Sequence, residues 1–223
     1  MPEQLSFDLP SVPAFGRADF MVAPSNAIAV ASIESWRNWP NRKLVLTGPA
    51  GAGKSHLTHV WASQTGAEVC SAADLTDADV SGLATGCVAV EDVSDIAEHP
   101  KAQTALFHLH NLVLAEGHSL LMTGAKAPAF WGITLPDLAS RLMATQVATL
   151  DLPDDTLLAA VIAKLFADRQ LAPKPDLISY LVLRIDRSFA AARDVVAALD
   201  TASLAQKRPI TKALAATVLD KTQ

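Results

Sequence analysis

The residues best placed to do chemistry stand eight in a row: Gly48, Pro49, Ala50, Gly51, Ala52, Gly53, Lys54 and Ser55. Glycines at this spacing let the backbone wrap tightly enough to aim successive N–H groups at phosphate oxygens, an approach that side chains would obstruct. Lys54 then brings a point charge to the outer phosphates and Ser55 a hydroxyl for Mg2+. A helix starting there adds its positive end. His56, the next residue along, is grouped with these nucleotide contacts. A second group is Glu91 and Asp92, which close the apolar run Cys87-Val88-Ala89-Val90. Carboxylates at a strand end beside a phosphate loop suit magnesium and water chemistry. One of them, assigned to Glu91 together with Ser55, holds the ion, and the other orients the attacking water.

These groups need a scaffold, and the residue pattern supplies one. Lys43-Leu44-Val45-Leu46-Thr47 reads as a buried strand leading into the glycine-rich segment, and 55–64 as the helix after it. Further strands are expected at 67–70, 87–90, 119–123 and 147–150, alternating with helical stretches such as 102–115. That alternation predicts an α/β fold with a parallel sheet flanked by helices. Ahead of it, Ser25 is expected to cap a helix running to about Trp39, where Pro40 stops it. From Asp154 onward the period becomes helical throughout, over 156–168, 174–184, 188–205 and 211–219. The expected organisation is an extended arm at 1–24, an α/β nucleotide-binding domain at 25–152 and a small all-α domain at 153–223.

Composition narrows the partners. The 223 residues carry a net charge of −5 with no run of Lys or Arg longer than two, so tight direct binding to DNA is not expected. No apolar stretch reaches the roughly 18 residues needed to cross a membrane, and the first residues lack a basic segment followed by an apolar one, so the expectation is a cytoplasmic protein. Cys70 and Cys87 lie among apolar or small residues and read as core thiols of a reducing compartment. His108 and His110 fall on different faces of a helix and do not make a metal pair. Trp36, Trp39, Trp61 and Trp131 are scattered without interleaved basic residues and are assigned to packing.

Taken in order, the phosphate loop, the acidic strand, the Thr-ended strand Leu120-Leu121-Met122-Thr123-Gly124, the segment Leu135-Pro136-Asp137-Leu138-Ala139-Ser140-Arg141-Leu142 and the helical C-terminal part resemble the AAA+ ATPases. More narrowly they resemble the ATPase domain of the DnaA family, over essentially the full length, with support from Asp19-Phe20 through Asn26 and from 209–219. The resemblance implies an AAA+ P-loop NTPase with a C-terminal helical lid, binding ADP or ATP with Mg2+. It implies that Phe20, Val22 and Asn26 contact the adenine, and that Thr123 is the sensor I residue beside the gamma-phosphate. Arg141 then falls where the family places an arginine finger, which reaches into a neighbour's nucleotide and stabilises charge on the transferred phosphoryl group. The family's sensor II arginine aligns near Ala190, with Arg187 and Arg193 each three positions away as alternatives. Where the family usually has Asp, this chain has Glu91, one methylene longer, which implies weak intrinsic hydrolysis.

The arm adds Gln4-Leu5-Ser6-Phe7-Asp8-Leu9-Pro10, which resembles the short peptide by which replication factors dock on the DNA polymerase sliding clamp. The Gln4 amide would set orientation and Leu5, Phe7 and Leu9 fill an apolar pocket, with Ser6 also counted among the docking residues. The implied activity is regulation of replication initiation: binding adenine nucleotide and the clamp, and stimulating hydrolysis of DnaA-bound ATP. The alternatives are a self-sufficient P-loop ATPase or kinase, or a helper ATPase that loads helicase or assists transposition. A homodimer is left open.

Overall fold

The computed structural model describes residues 21–220. Five parallel strands, β1 (Lys43–Thr47), β2 (Glu68–Ser71), β3 (Val88–Glu91), β4 (Leu120–Gly124) and β5 (Val147–Thr149), form one sheet in the order β2-β3-β4-β1-β5. The central strands β1 and β4 pair from Lys43 with Leu120 to Thr47 with Gly124, and every residue of both is buried. Such continuous apolar runs are what a sheet covered on both faces requires.

Alternate residues of β1 serve opposite layers. Leu44 and Leu46 pack with α1 (Ala27–Glu34) and α2 (Lys54–Thr65) through Val30, Ile33, Leu57 and Trp61. Val45 faces the other layer, with Val88, Val90 and Met122, against α4 (Pro100–Ala115) and α5 (Pro136–Met143). Between β2 and β3 a short helix, α3 (Val80–Leu83), is started by the Asp79 carboxylate, which accepts from the Gly82 amide at 3.1 Å. The chain then builds a separate core from α6 (Asp155–Asp168), α7 (Pro175–Val182), α8 (Phe189–Gln206) and α9 (Lys212–Leu219), centred on Leu158, Ile162, Phe166, Leu181, Val196 and Leu199. Asp154, Ser188 and Thr211 cap three of these helices by accepting from the amides of Leu157, Ala191 and Leu214.

Three expectations need correction. The first helix stops at Glu34 and does not reach Trp39; two 3-10 turns follow at Trp36–Asn38 and Pro40–Arg42. The turns swing Trp39 inward to stack on Trp61 with ring centroids 5.4 Å apart, its indole N–H donating to the Ser32 carbonyl at 2.6 Å, so the ring is buried and its polar atom satisfied. Ser25 is not the cap: Asn26 holds that position, and its carboxamide accepts from the Ala23 amide at 2.8 Å and leaves the helix uncapped. The cysteines are half-buried, not core. Burial, followed by the charges of Glu68, Asp74 and Glu91, pushes the Cys70 thiol up to about 11, so it stays protonated and unreactive near neutrality.

Candidate functional site

Parallel strands all end on one edge, and a ligand site is expected there where the chain's connections change direction, between β1, which leads toward β2, and β4, which leads toward β5. The phosphate loop leaves β1 at that point, the Gly48 amide donating to the Gly124 carbonyl at 3.3 Å. Gly51 and Gly53 have φ of +77° and +97°, a left-handed backbone that side chains resist. Space forbids side chains as well: a Cβ on Gly51 would lie 2.4 Å from the Ser188 Cβ, and one on Gly53 2.8 Å from the Phe189 ring. No side chain caps α2, so its first N–H groups are left for an anion. The Lys54 ammonium folds over the loop, donating to the Gly48 carbonyl at 2.8 Å and to that of Pro49 at 3.1 Å. Pro49, Ala50 and Ser55 are exposed, Ala52 is buried, and His56 is half-buried on the first turn of α2.

The acidic strand ends on the same edge of the sheet, with β4 between it and β1. Glu91 closes β3, and its Oε1 is buried with no protein partner among the described residues, the arrangement expected of a carboxylate reserved for a cation or a water. Asp92 follows with φ +54°, an unusual conformation for a residue other than glycine, and is exposed. Its amide donates to the Thr123 hydroxyl at 3.0 Å, so Thr123, 1% exposed at the end of β4, ties the two strand ends together and keeps its own proton to donate.

From the other side the helical part closes on the loop. The Phe189 amide donates to the Gly51 carbonyl at 3.1 Å, and the ring lies over Gly53, so the start of α8 rests on the phosphate loop. Arg187, just before Ser188, is exposed and paired with Asp155 at 2.8 Å, whereas Arg193 is exposed further along α8. Of the positions that the resemblance assigned to the base, Val22 is exposed and Asn26 buried. The Asn26 amide donates to the Met21 carbonyl at 2.9 Å, so Asn26 shapes the segment that carries Val22. Phe20 and the arm residues Gln4, Leu5, Ser6, Phe7 and Leu9 lie outside the described residues.

Arg141 is not part of this cluster. Its carbonyl accepts from the Lys43 ammonium at 3.0 Å, and Lys43 begins β1, the strand that ends at the loop. At about 3.3 Å per residue the strand separates its two ends by roughly 13 Å, so Arg141 sits at the opposite edge of the sheet from Lys54. There the guanidinium donates to the Asn111 side-chain oxygen and lies over the Phe107 ring, 4.6 Å from its centroid. Sequence reasoning missed Asn111 and Phe107. Their spacing of four on the predicted helix put them on one face, but nothing in the pattern says that Arg141 arrives there.

The same network contains His110 and Lys43, which are 3.2 Å apart and both buried. Burial lowers the Lys43 ammonium from its usual range, as does the Arg141 charge. Burial, then the Lys43 charge, lowers His110 to about 4, against a bond to Asn111 that favours its charged form. The folded protein therefore keeps His110 neutral while the unfolded chain takes up a proton below about 6.5, so its contribution to stability is complete above that pH and is lost as pH falls toward 4. Thermal denaturation across this window is expected to show a shallower acid-side loss of Tm in His110→Gln than in the parent; parallel curves would contradict it.

No protein-family model matches the chain. A protein of Haemophilus influenzae, described as uncharacterized, is 25% identical over 178 residues, covering 74% of this chain and 75% of that protein. Among solved structures, domain III of the replication initiation protein DnaA from Thermotoga maritima superposes with a TM-score of 0.80 at 18% identity, covering 96% of this chain and 98% of that one. AMPPCP-bound DnaA from Aquifex aeolicus gives 0.71 at 17% identity, over 85% of this chain and 66% of that one. RuvB from Thermotoga maritima gives 0.67 at 15% identity, over 88% and 67%. The chain thus has the AAA+ fold, with a five-stranded parallel sheet between helices and a C-terminal helical part, as the residue pattern and the resemblance predicted.

Proposed function

We propose that this chain binds ADP or ATP with Mg2+ and acts on replication initiation as the DnaA-homologous regulator Hda does. It docks on the DNA-loaded sliding clamp through Gln4–Leu9 and stimulates hydrolysis of ATP held by DnaA. The observation that carries this reading is the place of Arg141. A guanidinium at the far edge of the sheet from its own phosphate loop cannot serve its own nucleotide and is available to a neighbour's. The fold shared with DnaA domain III over nearly the whole of both chains makes a DnaA molecule a natural neighbour.

The described residues suit the nucleotide: the uncapped start of α2 and Lys54 for the phosphates, Ser55 and Glu91 for Mg2+, and Val22 and Asn26 for the base, to which the resemblance adds Phe20. The ion, when bound, neutralises phosphate charge. The chain's own residues orient the polyphosphate, and the Phe189 end of α8 excludes water over Gly53. Arg187, adjacent to the Ser188 contact with Gly51, is the better placed of the two sensor II candidates, with Asp155 as its resting partner. The Glu91 extension leaves intrinsic turnover low, below about 1 per second, the lower range for ordinary enzymes.

Clamp docking has a direct test. In the full chain, Gln4, Leu5 and Phe7 changed together to alanine are expected to weaken binding to DNA-loaded clamp at least about 100-fold, since apolar anchors of this kind contribute about 2 kcal/mol or more each. Nucleotide affinity should be unaltered. Undiminished clamp binding removes the arm from the reading.

A further inference from the structure

Gln103 lies in the second turn of α4, 0% exposed, among the apolar residues that pack on β4. Burying a carboxamide there is unfavourable unless all its hydrogen-bonding groups are used, and an aliphatic side chain would fill the same volume without that demand. Here they are all used. Its amide nitrogen donates to the carbonyls of Ile96 at 3.0 Å and Ala97 at 2.8 Å. Its oxygen accepts from the amides of Thr134 and Leu135, each at 3.0 Å, and from the Thr134 hydroxyl at 3.2 Å. Carbonyls can face only the nitrogen and N–H groups only the oxygen, so the amide has one orientation.

The two loops it joins come from different strands. Residues 92–99 follow Glu91, and residues 125–135 follow the Thr123 strand and lead into α5, which begins at Pro136 with no side-chain cap of its own. Helix α5 is eight residues long, anchored in the core by Leu138 and Leu142, and carries Arg141 in its last turn. A helix this short moves as a rod, so whatever fixes its first residues also fixes Arg141.

We infer that Gln103 is a positioning residue for Arg141, holding the start of α5 against the loop that follows Glu91 so that the guanidinium is presented in one place. This rests on the reading that Arg141 acts on DnaA-bound ATP. Displacing a transition-state group by about 1 Å costs on the order of 100-fold in rate, which sets the size of effect to look for.

The test uses the full chain on DNA-loaded clamp, with DnaA carrying labelled ATP. Gln103→Met is expected to lower the saturating stimulated rate at least about tenfold, while the concentration giving half-maximal stimulation stays within about twofold, since docking is untouched and only transition-state placement is lost. Amide exchange at Thr134 and Leu135 should quicken in the same variant. A folded Gln103→Met with parental rate, beside an Arg141→Ala that abolishes stimulation, overturns the inference and leaves the reading of Arg141 intact. Parental rates in both overturn both. If Gln103→Met does not fold, Gln103→Asn, one methylene too short to bridge both loops, takes its place, and a parental rate in that folded variant likewise overturns the inference.

Discussion

Arg141→Ala is expected to lower the stimulated hydrolysis of DnaA-bound ATP by about 1,000-fold or more, roughly 4 kcal/mol of transition-state stabilisation, the range measured when an arginine finger is supplied from a neighbouring molecule. The loss should appear in the saturating rate, with clamp binding and nucleotide affinity retained. The side chain lies at the far edge of the sheet from the chain's own loop, and its backbone carbonyl still receives the Lys43 ammonium when the guanidinium is gone. What the variant gives up structurally is the stacking on Phe107 and the bond to Asn111, both on a half-buried surface, so the fold should hold. Arg141→Lys should recover little, because an ammonium cannot hold the Asn111 oxygen and meet a phosphoryl group with a planar fork at once. Single-turnover assays with labelled ATP on DnaA read this directly; a rate within tenfold of the parent would remove Arg141 from the mechanism.

Lys54→Ala should cost the chain its own nucleotide. A charged hydrogen bond to phosphate contributes about 1.5–3 kcal/mol, so affinity for ADP and ATP is expected to fall at least about 10-fold and toward 100-fold. Nucleotide at 100 times the parental Kd stabilises the folded chain by about 2.7 kcal/mol through binding linkage, and about half of that increment should disappear for a tenfold loss of affinity and most of it for a 100-fold loss. Fluorescent-nucleotide titration and thermal denaturation with and without ADP check the two halves. Lys54 also holds the carbonyls of Gly48 and Pro49 together, so the nucleotide-free variant should melt slightly below the parent. Equal affinity in parent and variant would sink the phosphate-loop assignment.

These two residues differ in how far the sequence could place them. Lys54 could be assigned a role from the sequence alone, because the chemistry proposed for the loop is local: glycines, ammonium and hydroxyl lie within eight consecutive positions, between a buried strand and a helix. Arg141 could be singled out only through a resemblance, since an arginine late in a short helix has many uses. Its position depends on where the β4-to-β5 connection passes over β1. The break after Glu34 was illegible for a related reason. Residues 25–39 read well as a helix, and the stacking of Trp39 on Trp61, a contact between separate elements, accompanies the break. Asn26 was singled out only through the resemblance; that its carboxamide bonds Ala23 and Met21, and so shapes the segment carrying Val22, is a local choice that residue type does not announce.

By itself, the sequence determined the elements and the loop. Hydrophobic runs of strand length alternating with helical periods force a covered parallel sheet, and the glycine pattern dictates a backbone that can wrap a polyphosphate. Tertiary structure alone decided the long-range relations: the closing of Phe189 onto Gly53, the clasp of Asn111 and Phe107 on Arg141, and the bridging of two loops by Gln103. The physical reason is that backbone conformation and apolar periodicity are written over neighbouring residues. A hydrogen bond between groups 30 positions apart exists only once packing has brought them together, and it leaves no pattern in either stretch read alone.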